Sequence, residues 1–381
     1  MTDPVTAALA VTGVHAAPTD VALAASPPVP VADVALAATP SAPVAEVALQ
    51  TDFADGLVDF LQPSTLLEVV LRGLAKSAIF LLIASGLTLI FGLMGVLNFA
   101  HGSLTMIGAY LGGVVMVLLV GGATGQWARL GVFLVAMAAV FVALSFLGGV
   151  VEVGLIRTLY DRPPIYQILL TFGLTLVLEE VVRIIVAFYD LQPISEWQEA
   201  LGTKPAFLAD RLSFAGASVR GLALFEIALG AAAVVGVWAF LTRTRYGLFI
   251  RAGSEDGEMA EALGIDVGRV FTVVFAVGTG LAGVAGALLM WDPSWGASVP
   301  LAADALLPAF VVVIIGGLGT FRGTVAGALI VGMVDATTTW WFQNVVITWT
   351  WLPDISIFLI LVVMLVIKPQ GLYGVQEVGG H

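Results

Sequence analysis

Arg251-Ala-Gly-Ser-Glu-Asp-Gly-Glu-Met-Ala-Glu-Ala-Leu-Gly264 is a charged island between two long apolar runs, 222–241 and 269–290. Four acids fall between Glu255 and Glu261, in a chain that is 59% hydrophobic and only 11% charged. Each flanking run has the length of about 20 residues that a helix needs to cross the hydrocarbon of a bilayer. The island therefore reads as a water-facing loop between two membrane helices, and that reading decides the fold. Backbone groups in lipid must be satisfied within the segment itself. Long uninterrupted runs do this as helices, whereas a membrane barrel shows short alternating segments.

Working outward, apolar runs predict spans near 74–92, 103–120, 130–149, 165–187, 222–241, 269–290, 302–318, 324–343 and 354–368. The run 302–318 is short enough to be re-entrant, so the expectation is an all-α polytopic membrane protein with eight or nine transmembrane helices. A mean hydropathy of +1.03 over 381 residues fits that class and excludes a soluble domain. Small residues crowd the later spans, Gly278, Gly280, Gly283 and Gly286 and then Gly316 to Gly327, as expected where helices approach closely in lipid. No internal repeat is legible in the membrane part.

Lys and Arg in short loops set the orientation. Arg157 and Arg162, then Arg243, Arg245, Arg251 and Arg269, then Arg322 and Lys368 share one phase, which places the island and the C-terminus on the cytoplasmic side. The loop 188–221 is then external although it carries Lys204, Arg211 and Arg220, and Arg72 and Lys76 also fall on the wrong side.

Residues 1–62 are rich in Ala, Val, Pro and Asp, with Asp20-Val-Ala-Leu-Ala-Ala repeated from Asp33. Prolines interrupt any helix, and no basic segment precedes an unbroken apolar core. This region reads as a disordered acidic tail rather than a cleavable leader, and it lies outside under the orientation above. Eight acids precede Arg72, the first basic residue, and carry most of the net charge of −12. Residues 63–375 form the expected membrane domain and 376–381 a short ending. The chain has no Cys and three scattered His, so neither disulfides nor a metal centre are expected. Gly278-Thr-Gly-Leu-Ala-Gly283 formally matches a dinucleotide fingerprint but lacks the strand–turn–helix setting, and no phosphate-binding GxxxxGK[ST] occurs. Neither a nucleotide cofactor nor a nucleic-acid partner is expected.

The island itself has the marks of a short helix. Ser254 and Asp256 are good N-caps, Glu255 and Glu258 suit a first turn, and Gly264 suits a C′ position. Met259 and Leu263 share a stripe at i,i+4. Two helical turns alone are marginal in water, so the helix should dock either on its own bundle or in a groove of a cytosolic partner. An acidic helix is a poor match for an anionic leaflet.

The segment Glu258-Met-Ala-Glu-Ala-Leu-Gly-Ile265 resembles the coupling-loop motif of ABC importer permeases, and within them the branched-chain amino-acid (Liv-type) permease family. Three further segments agree in order: Gly86-Leu-Thr-Leu-Ile-Phe-Gly-Leu-Met-Gly-Val-Leu-Asn-Phe-Ala-His-Gly102, Gly316-Gly-Leu-Gly-Thr-Phe-Arg-Gly-Thr-Val-Ala-Gly327 and Lys368-Pro-Gln-Gly-Leu-Tyr-Gly374. The resemblance spans roughly residues 65–375. It implies a non-enzymatic plasma-membrane subunit of a prokaryotic importer, with a second permease, two cytosolic ATPases and an extracytoplasmic binding protein as partners. It also implies that Glu258, Met259, Ala260, Leu263 and Gly264 couple the permease to the ATPases. Urea, short amides or a sugar remain alternative cargoes, and an ATP-independent transporter or channel the alternative class.

Three polar residues in the membrane part are further candidates. Asn98 and His101 read either as a helix break lining the pathway or as caps that satisfy freed backbone groups. Asp335 lies inside a span, where an acid is a functional hypothesis by default. Glu179 and Arg183, at i,i+4, are expected to pair.

Overall fold

A computed structural model describes residues 53–120, 125–160, 162–191, 197, 205–255, 257–292, 295–345 and 352–374. Most of the acidic tail and the C-terminal ending lie outside these residues. The part of the tail that is described is helical: α1 spans Phe53–Phe60. Phe53 lies 5.2 Å from Trp341 and Phe60 lies 5.1 Å from Trp340, so aromatic packing overrides the tail-like composition from Phe53 onward.

The membrane helices come next, as α2 (Pro63–Met94), α3 (His101–Val120), α4 (Gln126–Gly154), α5 (Pro164–Phe188), a short α6 (Ala206–Ala209), α7 (Gly221–Arg243), α8 (Arg245–Glu255), α9 (Gly257–Ala262), α10 (Val267–Trp291), α11 (Leu301–Gly316), α12 (Phe321–Asn344) and α13 (Leu352–Ile367). A helix covers each apolar run, to within a few residues. Among the described residues six helices are long and apolar enough to cross a bilayer: α2, α3, α4 with its following turn, α7, α10 and α12. The helices α11 and α13 are shorter apolar ones. In α5 Arg183 pairs at 2.8 Å with Glu180, at i,i+3, and not with the expected Glu179; both groups are exposed, so the pair adds little.

The centre of the bundle is α2 against α10. Their most apolar windows are 83% and 72% buried, against 17% for α7 at the periphery. Gly86 and Gly278 meet at the crossing, where a Cβ on Gly86 would collide with the Gly278 carbonyl oxygen. A glycine contact of this kind lets two backbones touch where lipid offers no hydrophobic drive.

Two helices begin inside the bundle. The α2 helix ends at Met94, capped by Gly95 in the left-handed region (φ 64°). A non-helical link, 95–100, then turns back along α2, and the His101 Nε2–H donates to the Ile83 carbonyl at 2.9 Å. Ile83 lies eleven residues before Met94, about 16 Å along the axis at 1.5 Å per residue. It is also the middle of the apolar run 74–92. The first turn of α3 thus sits at half-depth. That of α11 lies beside it, with Gly102 packed directly on the Ala302 carbonyl.

These breaks reveal an internal likeness that the sequence conceals. A long helix (α2, α10), a link, a helix starting within the bundle (α3, α11) and a further long helix (α4, α12) occur twice in order. Packing is exchanged between the sets, α2 against α12 and α10 against α4.

The expected external loop contains a β-hairpin, β1 (Arg211–Phe214) and β2 (Ala217–Arg220), paired antiparallel. Ala215 and Gly216 both have positive φ (50° and 83°), the primed turn that matches strand twist.

Candidate functional site

The charged island contains two described helical stretches, α8 and α9. The expected helix from about residue 255 is preceded by α8, which starts at Arg245. Ser254 is therefore within a helix rather than at its cap, and Asp256 lies outside the described residues. The reason is packing: Ile250 is buried with Leu89, Val237, Val270 and Val274, which fastens α8 to the bundle. The shorter α9 comes next, and Gly264 ends it as expected. With φ 86° it closes a turn in which the Gly264 N–H donates to the Glu261 carbonyl (2.9 Å) and the Ile265 N–H to the Ala260 carbonyl (3.0 Å). That pair of bonds is the Schellman arrangement.

The candidate coupling residues divide by exposure. Ala260 is 2% exposed and faces the protein, while Met259 (57%) and Leu263 (76%) face outward. The backbone of Glu258 belongs to α9, and its side chain is outside what the structure describes. An apolar pair displayed on a short helix that is anchored from behind is an arrangement for docking.

The chain is stiff beyond the turn. Asp266 caps α10 by accepting from the Arg269 N–H (3.0 Å) and pairs with its side chain at 2.8 Å. One turn further on, α10 meets a node that sequence reasoning missed. Glu152 is fully buried and accepts from Arg157 Nε and Nη2 (3.1 and 2.9 Å), Tyr160 O–H (2.6 Å) and Thr272 Oγ1 (2.8 Å). The Arg157 guanidinium also donates to the Gly268 carbonyl at 3.2 Å. One carboxylate thus ties α4, the 3-10 turn Ile156–Leu159 and the start of α10. Burial first, and then the hydrogen bond to Glu152, hold the Tyr160 phenol above the ordinary tyrosine range. The signal available in the sequence was an acid near the end of an apolar run with an Arg five residues on.

Asn98 and His101 come together at the half-depth break, both fully buried. Asn98 Oδ1 accepts from the Ala100 N–H at 3.1 Å and the Asn98 carbonyl from the His101 N–H at 3.2 Å, so the capping role is present. Asn98 Nδ2 and His101 Nδ1 have no hydrogen-bond partner among the described residues. Asp335 is elsewhere, in α12, where Lys76 Nζ lies 3.6 Å from its Oδ2. The candidates therefore occupy three places: the turn, the break and an ion pair between α2 and α12.

This ion pair borders a cavity of about 360 Å³ between α2, the hairpin, α7 and α12. Leu222 and Glu226, early in α7, line it, whereas Arg243 at the other end of α7 leads into α8. The cavity and the turn are thus at opposite ends of a helix of 23 residues, about 35 Å long.

Known proteins share this arrangement of sequence. The family described as branched-chain amino acid transport system / permease component matches residues 69–368. The high-affinity branched-chain amino acid transport system permease protein LivH of Salmonella typhimurium is 26% identical over 315 residues, 82% of this chain and 96% of that one. BraD of Pseudomonas aeruginosa, a protein of the same description, is 27% identical over 318 residues, 82% of this chain and 97% of its own. A solved structure, PsaBC from Streptococcus pneumoniae in complex with Fab, is similar with a TM-score of 0.40 and 15% identity over 84% of this chain and 98% of that one.

Proposed function

Since the chain belongs to the family of branched-chain amino acid transport system permease components, we propose that it forms the membrane pathway of an ABC importer for branched-chain or related small amino acids, powered by ATP hydrolysis on separate subunits. Its partners in this reading are two cytosolic ATPases, a second permease and an extracytoplasmic binding protein. The turn at α9 lies on the cytoplasmic side of the plasma membrane and the cavity on the outer side.

The observation that supports coupling at α9 is the contrast between Ala260, packed inward, and Met259 and Leu263, displayed outward on a helix with a rigid end. Movement of the ATPases would be felt at Met259 and Leu263 and passed through Gly264 and the Asp266 cap to α10. The Glu152 node would pass it to α4. Nucleotide shifts the equilibrium between outward- and inward-open states only as far as the ATPases contact α9 differently in the two. Asn98 and His101 hold the break that lets α3 begin at half-depth, beside the route.

The test is reconstitution of the complete importer in proteoliposomes with L-leucine, ATP and the binding protein. A Gly264→Trp variant is expected to assemble, because nothing lies within 4 Å of a Cβ placed there and the left-handed backbone costs only about 1–2 kcal/mol. It should lose both uptake and substrate-stimulated ATPase activity. Unchanged stimulation in that variant would overturn the coupling assignment.

A further inference from the structure

Arg72, Lys76, Arg211 and Arg220 are basic residues on the side where the loop-charge rule expects few. All four line the outer cavity described above. Arg211 and Arg220 are also direct cross-strand partners in the hairpin. Like charges in that position destabilise a strand pair, and neither guanidinium has an ion pair among the described residues. Arg72 is held by Glu68.

The same cavity is lined by three acids, and the two signs come from different elements. The cations belong to α2 and the hairpin. Glu226, Asp292 and Asp335 belong to α7, the end of α10 and α12. Glu226 and Asp335 are buried, and Asp335 Oδ2 accepts no hydrogen bond from the described residues. Lys76 Nζ stands 3.6 Å from that oxygen, beyond hydrogen-bond range, and also lies 5.4 Å from the centre of the Trp295 ring. Ala75, Ile79, Leu222, Ala223 and Ala336 supply an apolar wall. At about 360 Å³ the space is at the small end of ligand pockets, suited to one amino acid.

We propose that this cavity receives the free amino acid on the outer side of the permease, its α-carboxylate against Arg211 and Arg220, its α-ammonium against Asp335, and its aliphatic side chain against Ile79 and Leu222. The inference rests on the importer reading and deepens it by naming a site and a charge pattern. A simple anion would satisfy the arginines and leave Asp335 Oδ2 without a hydrogen bond, and a simple cation would do the reverse. A sugar or urea carries no charge to pair with either. A zwitterion with its two charges one carbon apart answers both.

The experiment uses the full chain, assembled with its partner permease and ATPases in nanodiscs and without the binding protein, so that only the membrane part binds ligand. The probe is radiolabelled L-leucine, competed with 4-methylpentanoate, which lacks the ammonium, and with 3-methylbutan-1-amine, which lacks the carboxylate. Saturable leucine binding is expected, with each half-analogue competing at least about tenfold worse, which is 1.4 kcal/mol or more. The Arg211→Ala/Arg220→Ala double variant should weaken binding by a similar factor, and Arg220→Lys by less. These two positions are exposed on a hairpin, and an unchanged melting temperature confirms the variants are folded.

Leucine binding unaffected by the double variant overturns the site. So does 4-methylpentanoate competing as well as leucine, which would make this a general anion site, or no leucine binding at all. Uptake in the proteoliposome assay separates this failure from failure of the importer reading. If only the cavity is wrong, wild type and the double variant import leucine equally while Gly264→Trp does not. If the importer reading is wrong, none of them imports it.

Discussion

Glu152 sits fully buried at the end of an apolar helix, and its charge is held by side chains from three directions. Glu152→Ala would leave the Arg157 guanidinium and the Tyr160 hydroxyl facing a gap. Leaving a donor without its acceptor costs about 1–3 kcal/mol, toward the lower end here because the Arg157 side chain is 39% exposed and water can reach it. A fall in melting temperature in detergent, larger for Glu152→Ala than for Glu152→Gln, is the expected outcome. Tyr160 adds a pH dependence. Its phenol is held above the ordinary range in the folded state, so its contribution to stability is complete below the free tyrosine value of about 10 and fades as pH rises beyond it. Thermal unfolding followed into alkaline pH should lose that component in Tyr160→Phe. At Gly264 the backbone rather than space sets the constraint, since φ is 86° and the surroundings are open. Most L-residues lose about 1–2 kcal/mol in that conformation, and Asn tolerates it best. Gly264→Asn should therefore retain stimulated ATPase activity and Gly264→Val should lose much of it.

Among the elements, close helix contacts give the sharpest expectation. Gly278→Leu would drive a side chain into the backbone and Ile90 of α2 at the central crossing, whereas Gly131 in α4 has nothing within 4 Å of its Cβ position. The first substitution should abolish a monodisperse peak on size exclusion, and Gly131→Leu should leave it intact. The same contrast marks what was legible in the sequence. Hydropathy reads which residues are apolar, so the nine runs and their order could be recovered. The terminating role of Gly264 could be read because it depends on a local conformational preference. Hydropathy carries no depth, so the starts of α3 and α11 inside the bundle were not legible. His101 meets Ile83 across a reversal of the chain, and the Glu152–Thr272 bond links residues 120 positions apart. The hairpin was hidden because its turn uses Ala215-Gly216 in place of the usual Asn-Gly. The cavity was hidden for a related reason: Arg72, Arg211, Glu226 and Asp335 are brought together only by the packing of four elements.

On the scale of the whole molecule, the family match begins at residue 69, well after the acidic tail. A chain lacking residues 1–47 is accordingly expected to keep leucine uptake in the reconstituted importer; loss of uptake would give the tail a part in transport. The match ends at residue 368, yet the bundle makes use of residues just past it. The Leu372 and Tyr373 N–H groups donate to the carbonyls of Ile315 and Gly316 at 2.8 and 2.9 Å, capping the end of α11. Truncation after Lys368 should therefore lower the melting temperature even though no membrane-spanning residue is removed. The break at 95–100 has one more consequence. Val96, Asn98, Ala100 and His101 are all closed off completely, while Gly95 is exposed and Leu97 and Phe99 are partly so, so alternate residues of the link plug the gap in the helical ladder. Backbone groups freed in mid-helix are costly where they face hydrocarbon, and burying every second residue of the link against neighbouring helices keeps that cost low enough for the interruption to persist.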